Sequence, residues 1–177
     1  MSDQDESENG ENLDAKALGE FLLLREEHLV TAESCTGGLI AGAVTSVAGS
    51  SKWFDQGWVT YTNHAKHDQL GVSKLTLKEF GAVSEPVVRQ MAAGALAMAP
   101  RATLALAVTG IAGPGGGSAD KPVGLVWFGF AHRHGADTVV TATHQVFEGG
   151  RQAVRAATVQ HSLRYALQWL IQGRPLA

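Results

Sequence analysis

Apolar residues along the chain change their spacing several times, and each change marks an element. Ala15–His28 carries Leu18, Phe21 and Leu22 at helical spacing. Leu29–Ala32 is a short apolar run that predicts a buried strand, ending in the turn-like Glu33-Ser34-Cys35-Thr36-Gly37-Gly38. Leu39, Ile40, Ala43, Val44 and Val47 then return to helical spacing, which stops near Gly49. Gln56–Thr62 is rich in β-branched and aromatic residues and predicts a second strand. Asn63–Leu70 reads as a turn or two of helix. Thr76 and Glu79 have the spacing of a capping box and place the start of a short helix at Thr76. Ser84-Glu85-Pro86 opens a clearer helix carrying Val87, Val88, Met91, Ala95 and Leu96.

Thr103–Thr109 is unbroken and apolar, the pattern of a central strand. A glycine-rich loop over Gly110–Lys121 follows. Gly124–His132 and Thr138–Phe147 read as two strands joined by a turn at His134–Asp137, and Gly149-Gly150 leads into a long last helix. Strands alternating with helices, followed by two adjacent strands, predict an α/β fold: a mixed sheet with helices on both faces.

The 177 residues suit one domain with a sizeable core, expected over 15–177. Residues 1–14 hold Asp3, Asp5, Glu6, Glu8, Glu11 and Asp14, and read as a solvated acidic tail. Their polarity excludes a secretory signal, and no apolar run approaches a membrane span, so a cytoplasmic location is the default. The formal charge of −3 and the absence of a basic tract give nucleic-acid binding no support. A single cysteine, Cys35, excludes an intramolecular disulfide and a multi-cysteine zinc site. Tryptophans 53, 58, 127 and 169 are expected in the core or at an interface, and the apolar strands leave room for a homodimer.

Four segments hold residues suited to chemistry. In Glu33–Gly38 a hydroxyl, a thiol and a second hydroxyl stand side by side between a strand and a helix. Ligands of α/β sheets bind at such strand ends, where free helix amides can hold an anion or an oxyanion. The same residues also fit a plain N-cap and tight turn, with Ser34 or Thr36 as cap. In Tyr61-Thr62-Asn63-His64-Ala65-Lys66, a lysine of depressed pKa can serve as a base for a serine, although exposed polar helix is the simpler reading. His64 and His67 lack an evident third metal ligand. Thr109–Ser118, with Gly110, Gly113, Gly115, Gly116 and Gly117, suits a backbone cradle or a lid. It has neither the P-loop ending nor the dinucleotide-fold spacing. Arg151, at the start of the last helix, opposes the helix dipole, which suits an anion ligand as well as a surface salt bridge.

Taken together, TAESCTGGLIAGAVTSVAGSS, GWVTYTNHAKHDQLGV, FGAVSEPVVRQMAAGA, AVTGIAGPGGGSADKPVGLVWFGFA and FEGGRQAVRAATV resemble the CinA C-terminal domain family, from about Leu29 into the last helix. The resemblance implies a three-layer α/β/α sandwich with a mostly parallel sheet. It also implies hydrolysis of nicotinamide mononucleotide to nicotinate mononucleotide and ammonia, with no metal or organic cofactor. By that analogy Ser34 is the nucleophile, Lys66 its base, and Tyr61 joins them as catalytic. Glu33, Cys35, Thr36, Gly37, Gly38, Asn63, Thr109, Gly110, Gly113 and Arg151 would bind substrate. Amides near Thr36, Gly37 and Gly38 would hold the oxyanion, and Arg151 the phosphate. The chain would be the stand-alone form, without the molybdopterin-binding-like domain of larger CinA proteins. The rival expectations are a hydrolase of another small amide or a phosphoester, and a non-catalytic competence/damage-inducible interaction module.

Overall fold

The computed structural model describes residues 3–172, with side chains from Leu13 onward. Five strands form one sheet in the order β2-β1-β3-β4-β5. They are β1 (Leu29–Glu33), β2 (Phe54–Val59), β3 (Leu104–Gly110), β4 (Leu125–His134) and β5 (Asp137–Val146). β1 pairs in parallel with β2 and β3, while the β3–β4 and β4–β5 pairs are antiparallel. Four strands therefore run one way and only β4 is reversed, so the mixed, mostly parallel sheet is as expected. The reversal follows from connection length. Gly135 and Ala136 alone join β4 to β5, too short for a parallel crossover, and Gly135 takes a positive φ of 62° in that turn.

Helices cover both faces. α1 (Asp3–Leu24), α2 (Leu39–Thr45) and α6 (Arg151–Gln172) lie on one side; α3 (Asn63–Leu70), α4 (Lys74–Phe80) and α5 (Glu85–Met98) lie on the other. Strand alternation divides the core accordingly. Leu104, Leu106 and Val108 of β3 and Phe128 and Phe130 of β4 point to the α1/α6 side. Ala105 and Ala107 point to α5. Small residues on that face let α5 settle close to the sheet: a Cβ on Gly129 would stand 2.5 Å from the Val88 carbonyl oxygen. α3 and α5 approach just as tightly, since a Cβ on Gly94 would run into the carbonyl oxygen of Leu70. The Leu70 atoms it would meet belong to backbone and cannot yield cheaply. Gly94→Ala is therefore expected to cost about 3 kcal/mol and to lower the thermal midpoint by about 10 °C. An unchanged midpoint would show that this helix contact is looser than its geometry.

Three elements differ from the sequence pattern. β2 spans Phe54–Val59, not Gln56–Thr62, because the carbonyl of Thr60 is taken by a lysine side chain and the chain turns out of the sheet. α4 begins at Lys74, one residue after its cap: the Ser73 hydroxyl accepts from the Thr76 amide, so Thr76 is an internal position, not the cap. α1 reaches back to Asp3 through the acidic segment, whose first twelve side chains lie outside the described residues. Trp53 and Trp169 are buried, and Trp58 and Trp127 are half-buried, as expected for core anchors. No helix among the described residues is long and apolar enough to cross a membrane.

Candidate active site

The carboxyl ends of β1, β2 and β3 lie at one edge of the sheet, and their registers bring three sequence-distant segments together. Glu33 pairs with Val59 on one side and Val108 on the other, which sets Ser34 between Thr60 and Thr109. The Ser34 amide donates to the Val108 carbonyl at 3.1 Å, and the Thr60 amide to the Glu33 carbonyl at 2.7 Å. Val30 and Ala32 face the α3/α5 side, and by the same alternation so does Ser34.

α3 supplies its partner. The Thr62 hydroxyl caps that helix by accepting from the Ala65 amide, which fixes where the first turn starts. Lys66, in that turn, points inward and is 1% exposed. Its Nζ donates to Ser34 Oγ at 2.8 Å and to the Thr60 carbonyl at 2.7 Å. Neither partner is an anion. Burial therefore dominates and brings the Lys66 pKa down to about 8, against a smaller opposing pull from Cys35. A lysine in this state holds a proton loosely at neutral pH and can exchange it with the serine hydroxyl 2.8 Å away.

The turn after Ser34 is anchored by Glu33. This carboxylate is 1% exposed. One oxygen accepts from the Thr36 hydroxyl (2.6 Å) and the Gly38 and Ile40 amides (3.0 Å each), the other from the Ala41 amide (2.8 Å). Gly38 is the residue before α2, with a left-handed φ of 100° that favours glycine and no side chain to cap with. Glu33 caps in its place and meets the positive end of the helix dipole. Both Glu33 oxygens are thus occupied inside the fold. The oxyanion expectation changes for the same reason: the Gly38 amide is bound by Glu33, and the Gly37 amide by the Ser34 carbonyl at 3.1 Å. The amides of Cys35 and Thr36 are directed at the Cys35 sulfur. Cys35 is buried in the α1/α6 core, not open to a ligand, and burial pushes its thiol up to about 11.

Two of the other segments meet at Arg151. Its guanidinium donates to the Tyr61 hydroxyl at 2.7 Å and to the Gly113 carbonyl at 3.0 Å. Arg151 makes no ion pair among the described residues, so its charge has neutral hydrogen-bond partners only. Tyr61 is 56% exposed and is bonded to Arg151, not to Ser34 or Lys66. Thr109 is buried, its hydroxyl donating to the Ala82 carbonyl at 2.9 Å, so it ties the loop before α5 to the sheet edge and does not point freely to a ligand. Gly110 closes β3 beside it. Asn63 is exposed on α3 and lines a cleft against α4. His132 pairs with Glu27 at 3.0 Å and His144 packs on Trp127.

Sequence reasoning missed Arg155 and the Thr60 carbonyl. Arg155 donates to the Thr36 carbonyl at 2.9 Å and holds the Ser34–Gly38 turn from the α6 side. Its spacing of four from Arg151, one helical turn, was the available signal. The Thr60 carbonyl carried none, because any residue has one.

The CinA C-terminal domain family matches residues 12–170. The nicotinamide-nucleotide amidohydrolase PncC of Enterobacter agglomerans is 55% identical over 156 residues, covering 88% of this chain and 93% of the relative. The protein of the same name from Escherichia coli K12 is 47% identical over 159 residues, covering 90% and 94%. The crystal structure of the competence/damage inducible protein CihA from Agrobacterium tumefaciens superposes with a TM-score of 0.82 at 48% identity, covering 90% of this chain and 96% of that one.

Proposed function

This chain belongs to the CinA C-terminal domain family, and on that premise we propose that it is a nicotinamide-nucleotide amidase with Ser34 as nucleophile and Lys66 as base. The observation that carries the reading is the buried 2.8 Å contact between Lys66 Nζ and Ser34 Oγ at the carboxyl edge of the sheet. Two close relatives bear the name of that activity.

Neutral Lys66 takes the Ser34 hydroxyl proton as Oγ attacks the carboxamide carbon. Lys66 then returns the proton to the amide nitrogen and the C–N bond breaks, releasing ammonia. Water, its proton taken by Lys66, attacks the acyl carbon and frees nicotinate mononucleotide and Ser34. The product re-enters pyridine nucleotide salvage. Arg151 faces the substrate phosphate, and Tyr61 fixes where its guanidinium stands. The scheme uses the chain's own groups for every proton transfer.

Purified protein is expected to release ammonia from nicotinamide mononucleotide at a rate unaffected by a chelator. No release from folded protein would overturn the reading. Arg151→Ala is expected to raise KM for nicotinamide mononucleotide about tenfold while changing kcat less than about threefold. The same substitution leaves KM for nicotinamide riboside, which lacks the phosphate, unchanged. Equal losses on both substrates would place Arg151 outside phosphate binding.

A further inference from the structure

A second concave site lies between α3 and α4, outside the catalytic contact. It is a cleft of about 370 Å³ lined by Asn63, His64 and His67 from α3 and Lys74, Leu77 and Lys78 from α4. Its polar walls are cationic or neutral: two ammonium groups, two imidazoles and one amide, with no carboxylate among them. The chain as a whole carries a formal charge of −3, so this is a local reversal of sign.

The lysines are not placed for the benefit of their own helix. Lys74 and Lys78 stand one turn apart on α4, where like charges repel. Lys74 is also the first residue of α4, where a cation opposes the helix dipole. Neither lysine makes an ion pair among the described residues. Asp68 and Glu79, the nearest acids in sequence, do not line the cleft. Across from the lysines, the His67 ring is held by its Nδ1 against the Val72 carbonyl at 2.8 Å, which fixes its orientation. Leu77 is buried and closes the cleft with apolar surface.

We propose that this cleft binds a phosphate-class anion, a phosphomonoester or free phosphate. Ammonium groups serve as point-charge partners for phosphate oxygens, and Lys74 and Lys78 on the α4 wall of the cleft supply two of them. The anion is a phosphate-bearing molecule separate from the substrate, whose own phosphate is assigned to Arg151. α3 is a wall of the cleft and also carries Lys66, so an anion seated here contacts the helix that positions the base. The inference stands apart from the amidase reading, because its first readout is binding.

The test compares wild type with the Lys74→Ala/Lys78→Ala double variant, both exposed positions. In sodium phosphate, relative to sodium chloride of equal ionic strength, the thermal midpoint of the wild type is expected to rise by about 3 °C. The double variant is expected to show no such rise while keeping its midpoint in chloride. No rise in the wild type, or the same rise in both proteins, overturns the site. The source of the anion is read from kinetics in phosphate-free buffer. With a separate anion, both KM values stay in the double variant, and added phosphate changes the turnover of the wild type only. A severalfold rise in KM for nicotinamide mononucleotide, with KM for nicotinamide riboside left alone, would put the substrate phosphate in the cleft and overturn the separate anion. Failure of the amidase reading leaves the midpoint comparison intact.

Discussion

Ser34→Ala is expected to lower ammonia release from nicotinamide mononucleotide by about 10⁴-fold or more, with the fold intact. The magnitude is that of removing a nucleophile whose base remains. The structural cost is small because the deleted atom makes one contact, with Lys66 Nζ, and that group keeps the Thr60 carbonyl. Losing one buried hydrogen bond costs about 1 kcal/mol, or about 3 °C of thermal midpoint for a chain of this size. The neighbouring thiol sharpens the comparison. Cys35 is held up to about 11 by burial, so only about one molecule in 10⁴ carries a thiolate at pH 7. Cys35→Ala is therefore expected to keep activity within a few-fold of wild type. Both variants are compared by ammonia release and by thermal unfolding on the same preparations. A Ser34→Ala protein with more than a few per cent of wild-type turnover would remove Ser34 from the mechanism, and a dead but folded Cys35→Ala would put the thiol in its place.

The architecture was legible because periodicity reports burial. β3 reads as a continuous apolar run since both its faces are covered, and α5 shows its apolar stripe beginning where Ser84-Glu85-Pro86 places it. Boundaries were less legible wherever a tertiary contact ended an element. Nothing local in Thr60-Tyr61-Thr62 says that the strand must stop; the Lys66 ammonium on the Thr60 carbonyl does. The site divides along the same line. Ser34 and Lys66 stood out by residue type and by resemblance, and the sheet brings them into contact across 32 positions of sequence. The structural part played by Glu33 has no local signal. Only the three-dimensional path of α2 reveals that its carboxylate is spent on the Gly38, Ile40 and Ala41 amides. Arg151 was singled out by its unfavourable place on the dipole, a violation of local preference that often marks function. Its bonds to Tyr61 and Gly113 join three segments that no local pattern connects.

Lys66 makes the second large prediction, and it concerns pH. Its pKa is lowered from 10.5 to about 8 by burial without a counter-anion. A base that acts when neutral then gives kcat/KM an ascending limb: about tenfold per pH unit below 8, levelling above it. Lys66→Arg keeps the charge but cannot release its proton at any working pH, and is expected to lose about 10³-fold or more, as is Lys66→Met. The same shift carries a stability signature of definite sign. Between about pH 8 and 10.5 the unfolded lysine holds a proton that the folded one has released, so folding stability rises with pH through that window. Below pH 8 the buried ammonium costs stability, on the order of 3 kcal/mol relative to the neutral form. Lys66→Met has no such group, so the difference in urea midpoint between it and wild type is expected to move in favour of wild type as pH rises from 8 to 10.5. A kcat/KM limb near 10.5, or a midpoint difference flat across that window, would mean that Lys66 is an ordinary ammonium in the folded protein. Ser34 would then need another base.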